Sequence, residues 1–139
     1  MLFSRHRAPQ NSRLRALGRL FQKFRKENTP EARGLRLLRN WLSAEQRRQF
    51  DAEGGFDVIG CDTGKRYRIR YGISANVQEV DQKGTPLIGL CFVPLGYLVA
   101  GDVMLAQKIA LETNEMSALK VANRFPPTPV GPRARVHQN

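Results

Sequence analysis

The chain has 139 residues, 41% of them hydrophobic, and a formal net charge of +11. That length suffices for one domain with a modest core and not for two. No apolar run approaches the roughly 18–20 residues that span a bilayer, and the only two histidines, His6 and His137, lie far from Cys61 and Cys91, which argues against a zinc site needing about four convergent N/S ligands.

The charge is unevenly placed. Residues 1–41 hold eleven Lys/Arg against two acids, residues 42–125 hold ten of each sign, and residues 126–139 add only Arg133 and Arg135. A neutral module carrying a basic arm is suited to meet something anionic through the arm, because clustered Lys/Arg attract polyanions whatever the fold. Residues 1–26 contain no Asp or Glu and are Arg-rich, a composition that also suits an organellar transit peptide.

Ser12 is placed to cap a helix. After it Leu14, Leu17, Leu20, Phe21 and Phe24 recur at helical spacing, with Arg13, Arg15, Arg19, Lys23, Arg25 and Lys26 around the rest of the wheel. This basic amphipathic helix has three readings: packed on the domain, laid on nucleic acid or an anionic protein, or laid on an anionic membrane with Leu and Phe inserted. The basic arm so defined covers residues 1–28.

Thr29-Pro30-Glu31 starts a second helix, with Thr29 as N-cap and Pro30 in the first turn, running through Leu35, Leu38 and Trp41. Ser43 with Gln46 three residues on spells a capping box for a third, which stops at Gly54-Gly55.

The hydrophobic period then changes from 3.6 to 2. Strands are expected at 56–60, 66–71, 76–81 and 87–92, joined by turns at Asp62-Thr63-Gly64-Lys65, 72–74 and Gln82-Lys83-Gly84. In the second strand Arg66, Arg68 and Arg70 point one way and Tyr67, Ile69 and Tyr71 the other. The arginine ladder is either a track for phosphates or one half of cross-strand pairs with Asp57, Glu79 and Asp81; the neutrality of the core favours pairing. A loop at 94–101, apolar at Leu95, Tyr97, Leu98 and Val99, leads to Asp102 as an N-cap. One long helix follows with Leu105, Ile109, Glu112, Met116 and Leu119 along a stripe, bent or interrupted near Thr113-Asn114. The prolines from Pro126 end regular structure, and 126–139 reads as a disordered, Pro-rich basic tail.

The expected fold is therefore α+β: a four-stranded antiparallel meander with the N-terminal helices and one long C-terminal helix packed on one face, all within a single domain at 29–125. Trp41, Phe50, Phe56, Val58, Tyr67, Ile69, Leu90, Phe92, Leu105, Ile109 and Met116 are the expected core. Cys61 and Cys91 read as free buried thiols, with a disulfide between neighbouring strands as the alternative.

Catalytic patterns are weak. Asp62-Thr63-Gly64 matches the aspartic-protease triplet, but that chemistry needs two such loops sharing a proton, and a hairpin turn already explains these residues. Either cysteine would need a neighbouring base to act as a nucleophile, and no histidine lies in the core. The sequence thus points away from an enzyme and implies no cofactor or metal.

The segments "LSAEQRRQF", "FDVIG…TGKRYRIRYG", "NVQEVD", "GDVMLAQKIALE" and "ALKVANRF" resemble a family of small uncharacterised bacterial proteins over residues 38–125. The resemblance implies one coherent domain and a bacterial origin, which lowers the transit-peptide reading, and it carries no site residues. Read together, these features predict a non-enzymatic, cytoplasmic binding protein whose arm engages nucleic acid with little sequence preference, using Arg13, Arg15, Arg19, Lys23, Arg25 and Lys26 with Arg66, Arg68 and Arg70. The alternative is a protein-interaction adaptor that uses Leu95, Tyr97, Leu98 and Val99, with its basic helix on an anionic membrane surface.

Overall fold

A computed structural model describes residues 12–26, 28–93 and 96–127. The predicted tail lies outside these residues beyond Pro127, as do 1–11 at the start of the arm. Among the described residues five helices and five strands form in the order α1 (Ser12–Lys26), α2 (Pro30–Trp41), α3 (Ala44–Glu53), β1 (Gly55–Ile59), β2 (Arg66–Arg70), β3 (Val77–Val80), β4 (Pro86–Cys91), α4 (Ala100–Thr113), α5 (Glu115–Val121) and β5 (Asn123–Phe125). The class is α+β, and the sheet is a single antiparallel meander, β1-β2-β3-β4-β5.

Local chemistry sets the helix boundaries. The Thr29 hydroxyl accepts from the Ala32 N–H, Ser43 and Gln46 complete their capping box reciprocally, and Gly54 ends α3 at φ 74°, a conformation that costs a side-chain-bearing residue about 1 kcal/mol or more. α4 begins at Ala100 rather than after Asp102. Val99 is its N-cap without a side-chain bond, and Asp102 sits in the first turn, where its charge still complements the helix N-terminus.

The sequence expectation of four strands and one long terminal helix is matched roughly: the helix breaks where the sequence allowed a bend or interruption, and one strand is added. Asn114, at φ −152° and ψ 53°, interrupts the helix and serves as C-cap of α4 and N-cap of α5. After α5 the chain extends again, and Asn123–Phe125 adds a fifth strand to β4.

The core lies between the helices and one sheet face, where Leu35, Leu38, Phe50, Phe56, Val58, Tyr67, Ile69, Val77, Leu90, Met104 and Leu111 are buried. Phe50 and Phe56 meet edge to face at 6.0 Å between centroids, worth about 1 kcal/mol beyond their area. Three expected core residues are on the surface: Trp41 at 60% exposure, Ile109 at 42% and Met116 at 51%. The buried side of α2 runs through Leu35 and Leu38 to Leu42 just past its end, one residue beyond Trp41. Within α4 the buried side runs through Met104, Gln107, Lys108 and Leu111, one residue away from Ile109, and Met116 lies beyond the break at Asn114 in a separate helix. Tyr71, expected with Tyr67 and Ile69, follows the end of β2 and is exposed. Cys61 is exposed and Cys91 half-buried, and both are free.

α2 and α4 cross at two glycines. A Cβ on Gly101 would stand 2.3 Å from the carbonyl carbon of Gly34, so the backbones touch directly. The free edge of β1 is closed by α3: the Asp57 N–H donates to Gln49 Oε1 at 2.8 Å, and Gln46 Nε2 donates to the Asp57 carbonyl at 3.0 Å. An edge strand whose backbone groups are satisfied in this way is a poor template for aggregation.

Candidate functional site

The sheet face turned away from the helices is organised by register into rows. Asp57 pairs with Arg68, Arg68 with Gln78, Gln78 with Gly89, and Gly89 with Phe125, so one row crosses all five strands. Beside it lie Arg70 opposite Gly55, and Cys91 opposite Asn123; on the other side Ile59 faces Arg66, which faces Val80. This outer face carries the whole arginine ladder and, from these strands, one carboxylate, Asp57.

The three arginines differ. Arg68 is committed: its Nε donates to Asp57 Oδ1 at 2.8 Å and its Nη2 to Asp57 Oδ2 at 3.2 Å. That pairing raises its pKa further above the ordinary guanidinium value. The expected partners Glu79 and Asp81 are engaged elsewhere. Glu79 shares the inner face with Tyr67 and meets Lys65 at 3.6 Å, while Asp81 accepts from the Lys83 and Thr85 N–H groups of the next turn. Arg66 is exposed.

Arg70 is half-buried, and its Nε is buried without a hydrogen-bond partner. Burial lowers its pKa, and the charges of Arg68 and of Arg13 on α1 lower it further, against a smaller opposing effect of Glu53. The end of α1 and the ladder are therefore neighbours. Leu17 secures that approach, its Cδ2 lying where a Cβ on Gly54 would come within 2.5 Å. Arg13, Arg15 and Arg19 are exposed along α1. Lys23, Arg25 and Lys26 belong to the same helix, but their side chains lie outside the described residues.

Phe125 was not singled out by sequence reasoning. Its ring covers Gly89 so closely that a Cβ there would meet Cε2 at 2.0 Å, and it remains partly exposed. The available signal was Gly89 inside a strand, a position that often marks the close approach of another group.

A second cluster was also missed. Glu115 is fully buried, and its carboxylate accepts from the Asp62 N–H (2.9 Å), the Thr63 N–H (2.8 Å), the Thr63 hydroxyl (2.5 Å) and the Tyr67 hydroxyl (2.6 Å). Burial alone would raise the Glu115 pKa, but the hydrogen bonds together hold it below the ordinary value. Every acceptor direction is taken, so the cluster ties the β1–β2 turn to α5 and presents no reactive group. It also accounts for the Asp62-Thr63-Gly64 triplet as turn structure.

Of the apolar loop, Tyr97 is fully exposed, Leu98 exposed and Val99 half-buried; Leu95 lies outside the described residues. Beneath Leu98 is an open cavity of about 200 Å³ lined by Phe92, Val103, Ala106, Gln107 and Ala110. Among the described residues no cluster of His, Cys, Asp and Glu could hold a metal ion, and no helix is long and apolar enough to cross a membrane. No family model, curated protein or solved structure matches the chain.

Proposed function

We propose that this protein binds nucleic acid, largely without sequence preference, through a continuous basic surface formed by α1 and the corner of the sheet at Arg70. The observation that carries this reading is the state of Arg70: a half-buried guanidinium bonded to no carboxylate among the described residues, which feels the charge of Arg68 more strongly than that of Glu53, with Arg13 of α1 also in range. Neighbouring guanidiniums repel one another, and a phosphate at the exposed part of this half-buried side chain relieves that repulsion. The phosphate backbone supplies the affinity, so binding weakens steeply with salt. Arg68, held by Asp57, contributes field rather than contact.

The test is fluorescence anisotropy of a labelled oligonucleotide against the full chain across a salt series. Changing Arg13, Arg15, Arg19 and Arg70 to Gln together is expected to weaken binding and reduce the magnitude of the log–log salt slope by up to about 3. Binding that ignores salt, or an unchanged slope in that variant, overturns the proposal. So does binding confined to phosphatidylserine vesicles.

A second reading, a protein-interaction adaptor, is favoured by one observation: Tyr97 stands fully exposed next to the apolar cavity under Leu98. A Tyr97→Ala, Leu98→Ser variant that keeps its melting temperature and loses a partner held by the full chain would support it. Retained capture would remove it. Either reading suits a cytoplasmic protein, and the basic helix suits the surface of an anionic membrane equally well.

A further inference from the structure

We infer that the outer sheet face selects single-stranded over double-stranded nucleic acid, with Phe125 as the platform on which an unpaired base stacks. The inference rests on the polyanion reading above and adds the form of the ligand. Three observations carry it.

The first is position. Arg68, Gln78, Gly89 and Phe125 occupy one row, and the ring, folded over Gly89, lies about two strand spacings, roughly 10 Å, from the arginine ladder on the same face. The second is the ring's setting. Gly89 lets it lie directly on the strand backbone, which fixes one side of the ring and leaves the residue partly exposed. A ring held on one side by backbone loses little freedom when a base covers the other. The third is charge. The strands put Arg66, Arg68 and Arg70 on the face against Asp57, with Glu53 and Arg13 near the Arg70 corner, so a strand whose phosphates meet Arg66 and Arg70 can bring a base across the sheet to Phe125.

A duplex keeps its bases stacked on one another and offers a sheet only its phosphates. A single strand can splay a base onto the ring, and base–aromatic stacking tolerates any sequence because every base has a π face. Asn123, exposed opposite Cys91 on the same face, offers an amide to the edge of a base beside the ring.

The experiment measures anisotropy of labelled oligothymidylate and of the same strand paired with its complement, using the full chain and the Phe125→Leu and Arg70→Gln variants. The single strand should bind at least about tenfold more tightly than the duplex, and Phe125→Leu should remove that preference while leaving duplex affinity unchanged. Arg70→Gln should weaken both ligands. Equal binding of the two forms with Phe125→Leu silent overturns the stacking inference and leaves the polyanion reading intact. Failure of both ligands to bind at low salt overturns both. Should Phe125→Leu lower the melting temperature, a Phe125→Trp chain on a Trp41→Phe background reports directly: fluorescence quenched by oligothymidylate and not by duplex supports stacking, and equal or absent quenching refutes it.

Discussion

The hydroxyl of Tyr67 donates to Glu115 Oε2 at 2.6 Å, joining the middle of β2 to the first turn of α5 across 48 residues of chain. Both groups are fully buried, and the same carboxylate gathers the backbone of the turn that follows β1. The short C-terminal helix is thus fastened to the sheet by a polar knot within an otherwise apolar core. Removing the Tyr67 hydroxyl leaves a buried carboxylate one donor short, so Tyr67→Phe should cost about 2 kcal/mol in chemical denaturation, hydrogen bonds to charged groups being worth about 1.5–3 kcal/mol. A loss below about 0.5 kcal/mol would show that water or another donor replaces it.

The same pair sets a pH window. The folded pKa of Glu115 lies below its ordinary 4.5, so its contribution to stability is present above that value and is lost as pH falls through the folded pKa. Tyr67 is shifted the other way, above its ordinary 10.0, chiefly by burial and then by the Glu115 hydrogen bond and charge. Its contribution is present below 10.0 and is lost as pH rises towards the folded value. Denaturation midpoints should therefore fall on both sides of this window. In Tyr67→Phe the alkaline fall should shrink, and an unchanged alkaline limb would assign it to other groups.

Gly101→Ala separates packing from helix propensity. In an isolated helix alanine is favoured by up to about 1 kcal/mol. Here the new Cβ would meet the Gly34 carbonyl carbon at 2.3 Å and the Leu35 nitrogen at 2.6 Å, backbone atoms that cannot rotate aside. Overpacking of this kind costs about 1–3 kcal/mol, so the net change should be destabilising and seen as a lower melting temperature. A neutral or stabilised variant would mean that α2 shifts outward freely.

Gln49 supports the exposed edge of the sheet through one backbone group. Gln49→Leu keeps the volume and removes the acceptor from the Asp57 N–H, now at 2.8 Å. The expected cost is about 1 kcal/mol, with faster amide exchange at Asp57 than at Val58. Unchanged exchange would show that the edge is protected by packing alone.

Much of this architecture was legible because it is local. The Thr29 cap, the Ser43/Gln46 box, the Gly54 stop and the alternation of Arg66–Arg70 each depend on residues a few positions apart, and each is found in place. What was not legible depends on distant partners. Nothing near Glu115 indicates that residues 62, 63 and 67 will surround it, and three residues ending in Phe125 are too few to show a strand period until β4 is there to pair with them. The basic character of the site was readable from composition. That Arg68 is held by Asp57 while Arg70 is not held by a carboxylate bond is a matter of register, which composition does not encode.

That difference supplies the last prediction. Asp57 is mostly buried, accepts two bonds from Arg68, and is the one carboxylate that the strands place on the arginine face. Asp57→Asn removes a negative charge from the proposed binding surface and frees the Arg68 guanidinium to meet a phosphate. Two effects should follow with opposite signs. Stability should fall by about 1–2 kcal/mol, because a charge-assisted pair becomes a neutral one. Oligonucleotide affinity should rise, and the salt slope should steepen by about 0.7 as one further cation engages. Anisotropy and thermal melts on the same preparation measure both. Affinity that falls in step with stability would mean that Asp57 orients Arg68 for binding instead of withholding it.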